Sequence, residues 1–86
     1  MAFVLTKHAQ AEMLRRGIPE DLVVRVLSVP DQVVSERAGL MAYQSRVELS
    51  ADKVMLVRVI VDYRTEPHGV ITVYRTSKIH KYWRQV

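Results

Sequence analysis

The chain has 86 residues and carries 13 Lys and Arg against 9 Asp and Glu, a net charge of +4, so it makes one small domain with a mildly basic balance. At that length only about 60–65% of the unfolded surface is buried, and the core is thin. There is no cysteine, which excludes a disulfide framework, thiol catalysis and a thiolate zinc site and fits a reducing cytosol. No apolar run approaches the roughly 18 residues of a membrane span, and Met1-Ala2-Phe3-Val4-Leu5 is too short and lacks the basic start of a signal peptide.

Phe3-Val4-Leu5 is a short apolar lead-in. Thr6 is placed to cap a helix beginning at Lys7, with Ala9 and Met13 on its apolar stripe. Arg15-Arg16-Gly17 closes that helix, cations at its negative end and glycine as the left-handed cap. Pro19-Glu20-Asp21 opens a second helix, on which Leu22, Val23, Val26 and Leu27 share one buried face and which Pro30 ends. The pair looks like a DNA-reading unit, but Glu20, Asp21, Arg25 and Ser28 make the second helix too acidic for a groove lined with phosphates.

From Asp31 the period changes to two. Strands are expected at Gln32 to Glu36, Met41 to Leu49, Val54 to Tyr63 and Val70 to Arg75, with a turn at Ala38-Gly39 and a loop from Arg64 to Gly69. Short connections make an antiparallel meander of four strands. If Val47 pairs with Val57 and Val59 with Val73, one face holds Val47, Leu49, Met55, Val57, Val59, Val61, Ile71 and Val73, and the helices cover it. The opposite face holds Gln44, Arg46, Glu48, Arg58, Asp62, Thr72 and Tyr74, with Leu56 and Ile60 between them. A slip by one residue would bury both arginines unpaired among apolar groups, at a cost of several kcal/mol each. The expected fold class is therefore α+β, two N-terminal helices on one face of the sheet. A short C-terminal helix follows, starting near Lys78 and capped by Thr76 or Ser77, with Ile79, Tyr82 and Trp83 as its docking face on the domain or, alternatively, a platform for stacking bases.

Three features bear on function. Arg46, Arg58 and Tyr74, with Thr72 and Gln44 beside them, form a cationic floor with a phenol, and arginine forks suit phosphate oxygens. An ordinary solvated sheet face is the plainer reading, with Glu48 pairing across strands to either arginine. His8, in the first turn of the first helix, is a candidate base. From Tyr74 to Val86 four Lys and Arg (Arg75, Lys78, Lys81, Arg84) meet no acid, which permits a polyanionic partner such as RNA. His8, His68 and His80 lie far apart without acidic neighbours at ligand spacing, so no metal site and no cofactor is read.

Lys7-His8-Ala9, Met13 and Arg15-Arg16-Gly17-Ile18 resemble the opening of the small bacterial domain-of-unknown-function family 4258. Thr72-Val73-Tyr74-Arg75-Thr76-Ser77-Lys78-Ile79 with Tyr82-Trp83 resembles its ending. The resemblance implies a compact toxin-like fold of the RelE, ParE and BrnT kind, with a small antitoxin protein as the obvious partner. The family's motifs fall here on His8, Arg15, Arg16, Thr72 and Tyr74. No second histidine stands opposite His8 as an acid, so that work would fall to Tyr74 or Lys78.

The leading expectation is a cytoplasmic, metal-independent endoribonuclease in which a 2′-hydroxyl attacks the adjacent phosphate. His8 is the general base, Arg46 and Arg58 hold the phosphate charge, and Tyr74 orients the phosphate or protonates the leaving oxygen. Arg15, Arg16, Gln44, Thr72, Arg75, Lys78 and Lys81 contact the RNA. The alternative is a non-catalytic or degenerate module that binds an antitoxin or RNA without turnover. Monomer and homodimer are both open.

Overall fold

A computed structural model describes residues 3–85. The chain runs β1 (Phe3–Leu5), α1 (Lys7–Arg16), α2 (Glu20–Ser28), β2 (Gln32–Ser35), β3 (Leu40–Ser50), β4 (Lys53–Asp62), β5 (His68–Thr76) and a single-turn α3 (Ile79–Tyr82). The fold is α+β, as the pattern predicts, but its sheet has five strands in the order β1-β5-β4-β3-β2 and is mixed. The added strand is the lead-in, which pairs in parallel with β5, Phe3 opposite His68 and Leu5 opposite Val70. Three residues are too few to show a period, and their partner lies at the far end of the chain. Only tertiary contact reveals them as a strand.

Both early helices start and stop where local chemistry directs. The Ala9 amide donates to Thr6 Oγ1 at 3.1 Å, and Gly17 takes the left-handed conformation at φ 64°. Thr6 also extends the parallel ladder, because its amide and its hydroxyl both donate to the Val70 carbonyl, at 3.2 and 2.8 Å. One residue thus welds the start of α1 to β5.

Ala9, Met13, Ile18, Val23, Val26 and Leu27 pack on Val47, Val57, Val59, Val61, Val70 and Val73 to form the main core. The strand faces fall as the pattern requires, and the pairing is corrected at two places. Val47 faces Met55 and Ser45 faces Val57, a register two residues from the expected one. The reason is the hairpin: Ser50 already pairs with Lys53, so the turn is tighter, and a bulge between Glu48 and Ser50 absorbs the remainder. A shift of two leaves every side chain on its face, which is why the core survives the error. In β5 a bulge after Ile60–Thr72 puts Val70 rather than Ile71 opposite Val61, and Val70 is fully buried. Leu49, expected inside, is exposed, since it lies in the bulged end of β3.

The Ala38-Gly39 turn has positive φ at both residues, 37° and 81°, as a tight hairpin requires. A Cβ at Gly39 would also meet the Arg64 side chain, which would have to move aside. Arg64 lies over this turn while its side-chain and main-chain N–H groups hold Asp62, each at 3.0 Å. These bonds from Arg64 lower the Asp62 pKa from 3.8 to about 2. A depressed carboxylate contributes stability that is present above pH 3.8 and lost as pH falls through about 2. Urea unfolding between those limits should show that loss, and Asp62→Asn should flatten it; an unchanged acid limb in the variant would clear Asp62 of the role.

Candidate nucleic-acid interface

On the face turned away from α1 and α2, four strands contribute one row of side chains. Gln32 of β2 stands opposite Gln44, Gln44 opposite Arg58, and Arg58 opposite Tyr74 of β5. Beside the row a second apolar cluster of Val34, Ala42 and Ile60, flanked by Leu40 and Tyr74, fills the next positions. This face is therefore a second interior and not the solvated floor that alternation suggests.

Arg58 is the centre of the row and is only 2% exposed. Its Nε donates to Gln44 Oε1 at 2.8 Å, its Nη1 to the Tyr74 hydroxyl at 2.6 Å, and its Nη2 to Glu36 Oε2 at 2.7 Å. Every nitrogen of the guanidinium is committed within its own plane. Burial opposes its charge, but the bonds to Glu36 and Tyr74 outweigh that, and its pKa is raised. Burial likewise raises the Tyr74 phenol, against the pull of Arg58, so Tyr74 is a neutral phenol at pH 7. Its acidity moves away from the range useful to a general acid.

The residues after β5 lie over this row. Tyr82 stacks on Arg58, whose guanidinium carbon is 4.3 Å from the ring centre, and Trp83 stacks on Arg46 at 4.0 Å. Lys81 Nζ approaches the Tyr82 ring at 5.2 Å. The segment's main chain is gripped by two amides. Gln44 Nε2 donates to the Tyr82 carbonyl at 3.1 Å; Gln32 Nε2 donates to the Arg84 carbonyl at 2.7 Å while its Oε1 accepts from the Arg84 amide at 3.1 Å. Tyr82 and Trp83 dock on the domain, as their spacing predicts, though on the polar face. Thr76 Oγ1 accepts from the Lys78 amide at 3.1 Å, while the helical turn itself is capped at Lys78 without a side-chain bond.

The other sequence-designated residues do not gather at one site. His8 is exposed on α1, in the layer that covers the opposite face of the sheet, so the sheet stands between it and Arg58. Arg15 and Arg16 both pair with Glu12, at 2.6 and 2.8 Å, and Arg16 also donates to the Val73 carbonyl at 2.7 Å. Arg16 therefore ties α1 to β5. Glu48 pairs with neither arginine of the floor; that role belongs to Glu36. Thr72 is half-buried opposite Ile60. Arg46, Arg75, Lys78, Lys81 and Arg84 are exposed. Among the described residues no three of His, Asp and Glu cluster as metal ligands, and no helix is long and apolar enough to cross a membrane.

The model of a family described as a domain of unknown function, DUF4258, matches residues 5–75. The chain is a DUF4258 protein. The match takes in the whole opening motif from Lys7 to Ile18 and the closing motif as far as Arg75, and it stops before the segment that carries Tyr82 and Trp83. No curated protein and no solved structure matches this DUF4258 chain.

Sequence reasoning overlooked Glu36, Gln32 and the stacking role of Tyr82 and Trp83. The first two were within reach. Gln32 and Val34 alternate along β2, Glu36 continues the same alternation just past its end, and pairing β2 with β3 puts Gln32 and Val34 on the face of Gln44 and Arg58. Nothing local signals that two aromatic rings near the C-terminus will lie on guanidiniums.

Proposed function

We propose that this DUF4258 domain binds single-stranded RNA and does not cut it. The observation that carries this reading is the separation of the groups that cleavage needs. The candidate base His8 and the candidate phosphate holders are on opposite sides of the sheet, and Arg58 is buried with each of its three nitrogens bonded, to Gln44, Tyr74 and Glu36. General acid–base work requires both groups within hydrogen-bond reach of one substrate. Binding asks less, and the remaining parts suit it. Residues 74–86 contain no acid, and Lys78, Lys81 and Arg84 stand exposed beside an aromatic layer that also presents Arg46, while Arg75 is exposed on the helix side of β5. Exposed cations beside planar groups on which bases can stack are the usual means of holding a single strand. The likeness to the RelE, ParE and BrnT toxins belongs to the same proposal: an antitoxin would compete for this basic surface.

The test is anisotropy of a fluorescein-labelled oligoadenylate titrated with the full chain in EDTA, with the products run on a gel. Binding should saturate and weaken with salt, at a log–log slope of about −2 to −3 if three or four phosphates are neutralised. The oligonucleotide should remain intact. No binding at low salt refutes the reading. Cleavage that His8→Ala abolishes would return the catalytic one.

A further inference from the structure

The segment over the polar face is attached unlike any other part of the domain. Residues 79–82 form one helical turn with no buried side chain. Among the described residues its main-chain bonds to other main chain stay local, Lys81 to Lys78 and Trp83 to Ile79. What holds it to the sheet is a set of side chains: the amides of Gln32 and Gln44 on its backbone, and the planes of Arg46 and Arg58 under two consecutive aromatic rings.

Those are the contacts by which a protein holds a single-stranded polymer, planar rings on planar groups and amides on polar edges. Arg58 makes the point most clearly. Each of its nitrogens makes one bond, Glu36 answers its charge, it is only 2% exposed, and what it turns to the segment is its face, under the Tyr82 ring. A guanidinium whose charge is already answered by a carboxylate, and which presents its face, favours a flat ring over a phosphate.

We propose that Gln32, Gln44, Arg46 and Arg58 form a site for two stacked bases of single-stranded RNA, and that Tyr82 and Trp83 of the same chain fill that site until RNA displaces them. This rests on the RNA-binding reading and names its ligand site. The segment is then a built-in competitor. RNA affinity is reduced by the fraction of molecules in which the site is filled, and loosening the segment restores it. The family match ends at Arg75, so the competitor lies beyond the matched part while all four site residues lie within it.

Trp83 is the only tryptophan, so the unmodified chain reports on its own segment. Adding oligoadenylate should shift Trp83 emission to the red as the ring leaves Arg46 for water. Tyr82→Ala combined with Trp83→Ala should bind the labelled oligoadenylate about tenfold more tightly than the parent, and Tyr82→Ala alone, which leaves all four site residues in place and keeps Trp83, should give a smaller gain. Tighter binding by either variant together with the red shift supports the inference. Parent and variants binding equally, with Trp83 emission unchanged, overturns it and leaves RNA binding standing. Weaker binding by the double variant also overturns it, because the rings would then be contacts and not competitors. No binding by any of the proteins at low salt sinks the RNA reading itself.

Discussion

Arg58→Ala should unfold this domain or lower its thermal midpoint by at least about 12 °C. The substitution removes the one group that satisfies Gln44, Tyr74 and Glu36 together, and Gln44 is fully buried. Removing one partner from a buried charged network typically costs about 3–5 kcal/mol, because what remains is left unpaired in a poor solvent. A domain of this length has in total only about 4–13 kcal/mol to lose. Each kcal/mol moves the midpoint by about 4–8 °C at this size. Two further variants separate the causes. Arg58→Lys keeps the charge but has no planar fork, so it should lose about half as much. Glu36→Gln should lose least, since its side chain is 33% exposed and water can replace the bond. The order is read from thermal unfolding by circular dichroism. A midpoint within a degree or two of the parent for Arg58→Ala would mean that the guanidinium is not enclosed in solution, and the open catalytic floor would be back in play.

Leu56→Ala should cost about 2–4 kcal/mol, as much as a deletion in the main core. Leu56 is fully buried, yet its alternation puts it on the face of Arg58, away from α1 and α2. It reaches that burial through what lies over this face, and Tyr82 and Trp83 sit over its neighbours Arg58 and Arg46. Val54, two positions earlier and exposed, is the internal control: Val54→Ala should fall within about 0.5 kcal/mol of the parent in urea titrations. Equal and small losses for the two would show that the face is open and that the C-terminal segment does not rest on it. Because ligand-free chain is used, this result bears on docking alone and is independent of any RNA.

Much of the framework is legible in the residues. The helix from Lys7 to Arg16 is specified by a cap at Thr6, an apolar stripe and a glycine that accepts positive φ. Strand parity is equally local: burying Arg46 or Arg58 among valines is so costly that the sorting of faces follows from the sequence, and Arg58 opposite Tyr74 follows with it. Pairing is less local. Whether Val47 meets Val57 or Met55 turns on where a hairpin closes, and Ser50–Lys53 closure is decided by a bulge that leaves no pattern.

The candidate site divides along the same line. Arg58 opposite Tyr74 follows from the expected pairing and alternation puts Gln44 on their face, but that Gln44 and not Arg46 stands opposite Arg58 follows only from the tighter hairpin. Whether such a row is an open floor or a closed interior is not a property of the strands. It depends on Glu36, which reaches in from beyond the end of β2, and on a short segment that folds back after β5. The distance between His8 and the row is of the same kind, since only the layering of α1 on the far side of the sheet sets it.

By itself, then, the sequence determines the elements, their caps, the oily and polar sides of each strand and the basic character of the C-terminal stretch, because propensity, alternation and charge act between near neighbours. The tertiary structure alone decided that Phe3–Leu5 pairs with β5, that Arg58 spends its donors inward and that Tyr82 and Trp83 lie on guanidiniums. Those outcomes join residues far apart in the chain, and such contacts are selected by how the whole surface can be buried, which no single stretch encodes.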